Sequence, residues 1–126
     1  MAGYVEGAVI TNSYANVKVV GSLENVGGLV GSSSGVAISN SYATGSISAN
    51  QYVGGLIGND SYGDVQNSFS TVVVSGLTNT GALIGIDYTP LFSNYSNNYY
   101  YASNSHGDSV GAGIGLTSAQ MLQASN

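Results

Sequence analysis

Few side chains in this sequence could carry out acid–base or nucleophilic chemistry, and they are scattered. The 126-residue chain has six acidic residues, one histidine, one basic residue (Lys18) and no cysteine. Catalysis would therefore depend on isolated carboxylates. The candidates are Asp60, Asp64, Asp87 and Asp108. Their spacing does not match a calcium-binding loop. We expect each to be a solvated turn residue, and we predict that the protein is not an enzyme and needs no cofactor.

The low, acidic charge excludes several classes of partner. Only 6% of the residues are charged, and the formal net charge at pH 7 is -5. Because neutralising a nucleic-acid backbone takes several lysines or arginines, we expect no nucleic-acid binding. No apolar run reaches membrane-spanning length, so we expect no membrane insertion. The absence of cysteine is compatible with an extracellular or bacterial cell-surface location, which is the location we predict.

Two short motifs recur along the chain with a common period. The first, Val-Gly-Gly-Leu-Val-Gly, begins at Val26 and returns at Val53, at Thr80 and, in eroded form, at Val110, at intervals of 27, 27 and 30 residues. The second, Ile-Thr-Asn-Ser-Tyr-Ala, occupies residues 10–15 and returns at 38–43, 65–70 and loosely at 95–100. Such a period is typical of repeat proteins, in which each unit buries its apolar face against its neighbours.

Short runs of β-branched and aromatic residues bounded by Gly, Ser and Asn predict strands, and no helical period precedes residue 116. Propeller blades are longer than this unit. The sequence therefore predicts an all-β fold, a β-solenoid of about four coils with three short strands per coil. The predicted units are residues 3–35, 36–62, 63–92 and 93–115, and residues 116–126 are predicted to form a C-terminal cap or the start of a linker. Ala2 falls inside a further copy of the first motif, which predicts a segment of a longer array.

The repeated positions have predicted structural roles. Leucines of the first motif, together with Ile38 and Val65, are expected in the core, and its glycines at tight corners. The asparagine of the second motif is expected to form a stacked amide ladder, although a solvent-facing row that contacts a ligand is the alternative. These repeat residues are Gly28, Leu29, Gly31, Gly55, Leu56, Gly58, Leu83, Gly85, Asn12, Asn40, Asn67 and Asn97.

Two irregular segments, 86–92 and 99–108, interrupt the repeat and hold a candidate binding patch. Its residues are Tyr88, Phe92, Tyr100, Tyr101 and His106. Loops that protrude from a solenoid often carry its function, but a terminal coil is also irregular simply because it ends the stack. A third feature is the first coil, whose uncharged strand edge could pair with a second copy of the chain.

These motifs resemble the GLUG motif family, whose Gly-Leu-hydrophobic-Gly signature stands here at residues 28–31 and 55–58 and, with Ala82 as its first residue, at 82–85. The companion Asn-Ser-Tyr-Ala at 12–15 and 40–43 is also typical of the family. The resemblance implies a non-catalytic repeat of large bacterial surface and secreted proteins, including filamentous adhesins and immunoglobulin A peptidases. It therefore favours a rigid scaffold or stalk attached to neighbouring domains. A carbohydrate- or host-protein-binding module and a self-associating fibre subunit remain as alternatives.

Overall fold

The computed structural model describes residues 2–101 and 113–116, which form strands and turns and contain no helix. No helix of these residues is therefore long and apolar enough to span a membrane. The strands are β1 (Ala2–Glu6), β2 (Val9–Thr11), β3 (Tyr14–Val20), β4 (Glu24–Gly27), β5 (Val30–Ser34), β6 (Ala37–Ser39), β7 (Tyr42–Ser48), β8 (Gln51–Gly54), β9 (Ile57–Asp60), β10 (Asp64–Gln66), β11 (Phe69–Ser70), β12 (Val73–Ser75), β13 (Thr78–Gly81), β14 (Ile84–Asp87), β15 (Asn94–Ser96), β16 (Tyr99–Tyr101) and β17 (Ile114–Leu116).

The strands stack into four parallel sheets that the chain visits in turn. Three sheets have the orders β1-β5-β9-β14, β2-β6-β10-β15 and β4-β8-β13, and the fourth contains β3, β7, β11, β12, β16 and β17. Equivalent residues of successive repeats pair directly, as Ile10 does with Ile38 and Ile38 with Val65. Each sheet thus takes one segment from each coil. The predicted β-solenoid of about four coils is confirmed.

A complete coil, such as that of β6 to β9, has four strand segments rather than the three predicted. The first motif is not one strand, because β4 ends at Gly27 and β5 begins at Val30. The chain turns a tight corner at Gly28 and Leu29 between them. A glycine pair inside an apolar run is compatible with a bulge or with a corner, and here it makes a corner.

The glycines at this corner are required by the close approach of backbones. A Cβ atom on Gly27 would overlap the carbonyl oxygen of Val30, and one on Gly31 would overlap that of Asn25. A Cβ on Gly28 would overlap the carbonyl oxygen of Gly55 in the next coil. Contacts of this kind recur at Gly54, Gly55 and Gly58. The signature of the repeat is therefore a steric consequence of folding β4 back against β5.

The core is a set of columns running along the stack. Leu29, Leu56 and Leu83 are at most 1% exposed, and so are Ile38 and Val65. The inward residues of the first coil are only partly buried, although they continue the same columns. Those residues include Val5, Ile10, Val17, Val19 and Val26. The burial of each column thus depends on the coils on both sides of it.

The asparagines of the second motif mark a corner with a left-handed backbone. Asn12, Asn40, Asn67 and Asn97 have φ between 50° and 54°, a conformation that asparagine tolerates better than most residues. Their side chains are exposed, so the expected asparagine ladder is wrong. Asparagine is instead favoured at these positions because it tolerates the left-handed backbone of the turn.

A buried polar ladder runs one residue later. The hydroxyl of Ser41 accepts a hydrogen bond from the backbone N–H of Ser13 at 3.2 Å, and that of Ser68 accepts one from Ser41 N–H at 3.3 Å. The side-chain oxygen of Asn98 accepts the next bond, from Ser68 N–H at 3.0 Å. Each coil thereby satisfies a buried backbone donor of the coil before it.

The last strand does not have the position that the eroded fourth motif predicts. β17 pairs with β16, so that Ile114 lies beside Tyr99 and Leu116 beside Tyr101. A fourth copy of the Gly-Gly-Leu-Val-Gly corner would instead extend the sheets of β13 and β14. The sheet that contains β16 is thus extended by β17. The predicted cap, residues 116–126, lies outside the described residues except for Leu116.

Candidate functional site: an aromatic surface and a buried carboxylate cluster

The predicted binding patch is divided by the fold. Tyr88 and Phe92 are 55% and 69% exposed and flank the turn after β14. Tyr100 and Tyr101 are half-buried in β16 of a different sheet, where Tyr100 packs against the core. His106 lies outside the described residues. The structure therefore gives Tyr88 and Phe92 different neighbours from those that the sequence predicts.

Two tyrosines from other segments complete an aromatic surface with them. The rings of Tyr52 and Tyr88 lie 6.3 Å apart at an interplanar angle of 59°, and those of Tyr62 and Phe92 lie 5.9 Å apart at 35°. A hydrogen bond with Tyr52 raises the pKa of Tyr88 above its ordinary 10.0. We call these four residues the aromatic surface. Tyr52 and Tyr62 were missed in the sequence because neither belongs to an irregular segment.

Both added tyrosines have an unfavourable backbone conformation. Tyr52 and Tyr62 each have φ of 54°, and the left-handed region costs an ordinary L-residue about 1–2 kcal/mol. The coils on both sides place asparagine at the position of Tyr52, and the two preceding coils place glycine at the position of Tyr62, with φ from 50° to 64°. Those residues are Asn25 and Asn79, equivalent to Tyr52, and Gly7 and Gly35, equivalent to Tyr62. Such strain is concentrated at functional sites in proteins, and comparing aligned coils would have revealed it.

A second arrangement, also missed by sequence reasoning, is a buried cluster around Asp60. This side chain has 0% exposure, so its expected role as a solvated turn residue is wrong. Ser33 Oγ donates a hydrogen bond of 2.6 Å to Asp60 Oδ1. The hydroxyl oxygen of Tyr95 lies 2.6 Å from Asp60 Oδ2 and 2.7 Å from Asp87 Oδ2. We call Asp60, Tyr95 and Asp87 the carboxylate cluster.

The cluster forms where three core columns change residue type. Tyr95 continues the column of Ile10, Ile38 and Val65, and its hydroxyl reaches past the end of that apolar column. Gly63 stands where the preceding coil has Val36, and a Cβ atom there would overlap the Asp60 carboxylate. Asp87 pairs with Asp60 in the adjacent strand. Glycine at 63 is thus the change that admits a carboxylate into this corner.

The electrostatics of the cluster follow from burial. Burial disfavours the carboxylate and raises the pKa of Asp60 above 3.8, an effect that hydrogen bonds from Ser33 and Tyr95 oppose and the charge of Asp87 reinforces. The pKa of Tyr95 is raised above its ordinary 10.0, first by burial and then by its bond to Asp60. Tyr95 therefore stays a neutral phenol.

The chemistry that these groups share is proton binding. The described residues contain no group of three or more His, Cys, Asp or Glu side chains that could hold a metal ion. A cavity of about 230 Å³ lies beside Asn97, Tyr99 and Ile114, away from the aromatic surface.

The fold and its repeated corners define a β-solenoid repeat module, and a comparison with family models identifies the repeat. The model of the GLUG motif matches residues 22–48, a segment that runs from just before β4 to the end of β7 and includes both repeated motifs. The chain thus contains a GLUG motif, and the resemblance is confirmed for this unit. Searches of curated proteins and of solved structures gave no match.

Proposed function

We propose that the chain is a non-catalytic structural module of a bacterial cell-surface or secreted protein, with an adhesin-like role as a rigid scaffold or stalk. The observation that supports this most is the unbroken pairing of four parallel sheets along the stack. Each coil adds one strand spacing, about 4.8 Å, to the length of the module. The inward residues of its first coil are only partly buried, so the columns can accept a further coil there, as joining to a neighbouring domain of a longer protein requires.

This proposal is tested in the cell that makes the protein and in solution. An antibody against the folded chain should label intact cells, and duplication of the unit 36–62 should leave the array folded and longer by about 4.8 Å in small-angle scattering. Labelling that appears only after lysis, or an in-phase duplication that unfolds the chain, would contradict it. So would a lyase or hydrolase activity that is lost on Asp87→Asn.

A second candidate function is glycan binding through the aromatic surface. The supporting observation is that Tyr52 and Tyr62 accept a strained backbone and place their rings beside Tyr88 and Phe92. Tyrosine offers both an apolar ring and a hydroxyl, which suits the CH faces and hydroxyl groups of a neutral sugar. The near absence of basic residues makes an anionic partner less suitable.

A glycan array distinguishes this candidate from a scaffold alone. The wild-type chain should retain neutral glycans, and the double variant Tyr52→Asn with Tyr62→Gly should lose them. The matched control is Tyr14→Ser, which removes an exposed tyrosine (65% exposed) on a different sheet. Equal retention by all three chains would contradict the candidate, and retention of a host-matrix protein in place of glycans would replace it with the protein-binding alternative.

A further inference from the structure

The carboxylate cluster contains more acceptors than one phenol proton can satisfy. Tyr95 has a single hydroxyl hydrogen, yet its oxygen lies 2.6 Å from one carboxylate oxygen and 2.7 Å from another. Both distances are typical of O–H···O hydrogen bonds. Two carboxylate oxygens cannot both accept the same proton at such distances. One of the two carboxyl groups must therefore carry a proton and donate it to Tyr95.

Asp60 is the better holder of that proton. It is fully buried, and Ser33 is the other side chain that donates to it. Asp87 is partly exposed, and its Oδ1 accepts from Thr89 N at 2.8 Å and from Ser93 Oγ at 3.1 Å. These donors favour the ionised form of Asp87. The geometry is complete when Asp60 donates to Tyr95 and Tyr95 donates to Asp87.

We infer that the carboxylate cluster is a pH-dependent switch, in which a proton on Asp60 holds the insert of residues 88–94 against the second and third coils. Asp87 precedes this insert and Tyr95 follows it, so both of its ends are attached to Asp60. Within the insert, Thr89 Oγ1 accepts a hydrogen bond of 2.6 Å from Tyr62 N–H. The cluster thus fixes the segment that carries Tyr88 and Phe92.

Among the described residues, the groups that face Asp60 offer no positive charge to replace the proton. They are Ser33 from β5, Asp87 from β14, Tyr95 from β15 and the backbone at Ser61 and Gly63. The one basic residue, Lys18, lies in β3, which pairs only with β7 of another sheet. When the proton leaves Asp60 for solvent, two carboxylates then compete for one hydroxyl, and their charges repel.

The direction of the pH dependence follows from the pKa of Asp60 in two states of the insert: closed, with the carboxylate cluster intact, and opened, with Asp60 in solvent. Burial raises the pKa of Asp60 in the closed state above 3.8, whereas in the opened state the carboxyl is solvated and ordinary. The stabilisation of the closed insert is therefore complete below 3.8 and is lost as the pH rises through the closed-state pKa. The aromatic surface is fixed most firmly in acid.

Carbon-13 NMR of the carboxyl groups and hydrogen exchange of the Thr89 and Asn94 amides, which donate to Asp87 Oδ1 and to the carbonyl oxygen of Gly63, test this on the full chain. Asp60 should titrate above 3.8, and amide protection should fall about tenfold per pH unit between that value and the Asp60 midpoint before levelling off. In Asp60→Asn the amide can donate to Tyr95 without a charge, so protection should not depend on pH. Tyr95→Phe should lose protection at every pH.

Asp64→Asn is the matched control, because it removes one carboxylate on the exposed side of β10 and should behave as the wild type. The inference is overturned if Asp60 titrates at or below 3.8, or if Asp60→Asn keeps the wild-type pH dependence of exchange. The wild-type titration decides the question alone if Asp60→Asn does not fold. Glycan binding is not needed for either measurement.

Discussion

The carbonyl oxygen of Ala82 occupies the space where a Cβ atom on Gly55 would lie. One coil earlier, the carbonyl oxygen of Gly55 occupies the space where a Cβ atom on Gly28 would lie. Ala82 itself carries a methyl group and is 2% exposed, and β13 and β14 are the last described strands of their sheets. The change from glycine to alanine in the motif therefore falls in the last described copy of this corner.

Gly55→Ala should destabilise the chain by about 3 kcal/mol or more, since the added methyl meets backbone on one side and Ser70 on the other and neither can move without breaking a sheet. Urea unfolding followed by circular dichroism measures the change. The matched variant Ala82→Gly should cost only about 1 kcal/mol, because it adds chain entropy without a clash. Equal losses of unfolding free energy in the two variants would contradict the steric explanation of the glycines in the motif.

Leu56→Ala should reduce the free energy of unfolding by about 2–5 kcal/mol, as other large-to-small changes in a packed core do. Leu56 has 0% exposure and touches both neighbouring coils through its column. Leu77→Ala is the control, because Leu77 is 80% exposed and should change stability by less than about 0.5 kcal/mol. A loss of that small size at Leu56 would place the motif outside the core.

Tyr52→Asn should leave stability unchanged or raise it by up to about 1 kcal/mol, although it removes a half-buried ring. The strain relieved at a φ of 54° is of the same size as the lost contact with Tyr88. Thermal unfolding provides the measurement, and Tyr42→Asn in the stacked column Tyr14–Tyr42–Phe69 should be destabilising by comparison. A large loss of thermal stability in Tyr52→Asn would mean that Tyr52 contributes to packing rather than to a binding surface.

Global stability should decrease as the pH rises from 3.8 through the raised pKa of buried Asp60, because the unfolded chain releases this proton more readily. Asp60→Asn should be at least as stable as the wild type at neutral pH and should flatten this part of the curve. Urea midpoints measured across the acidic range give the answer, with Asp64→Asn as the charge-matched reference. A wild-type curve that rises over this range and is unaffected by Asp60→Asn would contradict the expectation.

The first coil should mediate concentration-dependent association. On its outer side β3 has no strand partner among residues 2–101 and 113–116, and the inward Val17 and Val19 are only partly buried. Lys18 is the one charged residue of this strand, and open edges with so little charge can add strands from another copy. Val17→Lys should shift the sedimentation profile toward monomer, whereas Leu77→Lys on the side of the stack should not. A wild-type chain that stays monomeric at high concentration would show that the edge does not self-associate.

The period of the sequence was sufficient to predict the coil and its core. Leu29, Leu56 and Leu83 recur in phase, and in-phase apolar residues have to stack. The number of strands per coil was not predictable in this way, because Gly28 and Leu29 form a corner inside what looks like one apolar strand. The fourth motif failed for a related reason, since a short match around Gly113 and Gly115 contains no information about which sheet it joins.

The carboxylate cluster and the aromatic surface were not predicted from the sequence, for different reasons. Asp60 looks like a turn carboxylate in sequence, and only the pairing of β9 with β14 and the reach of Tyr95 bury it. Tyr62 looks like any surface tyrosine until its coil is aligned with Gly7 and Gly35. Side chains that depart from a column are thus visible in the sequence once the coils are aligned by their 27-residue period, but the contacts that these side chains make come from the structure.

The direction of the strands has a mechanical consequence for a stalk. In every sheet the strands lie across the axis of the stack, so the hydrogen bonds between coils point along it. A pull on the two ends loads these bonds one row at a time rather than together, and coils should detach singly. Each released unit of 27 residues can extend to roughly 90 Å, far beyond the strand spacing it filled. Such a module is stiff under compression but yields under tension as a stepwise extensible tether.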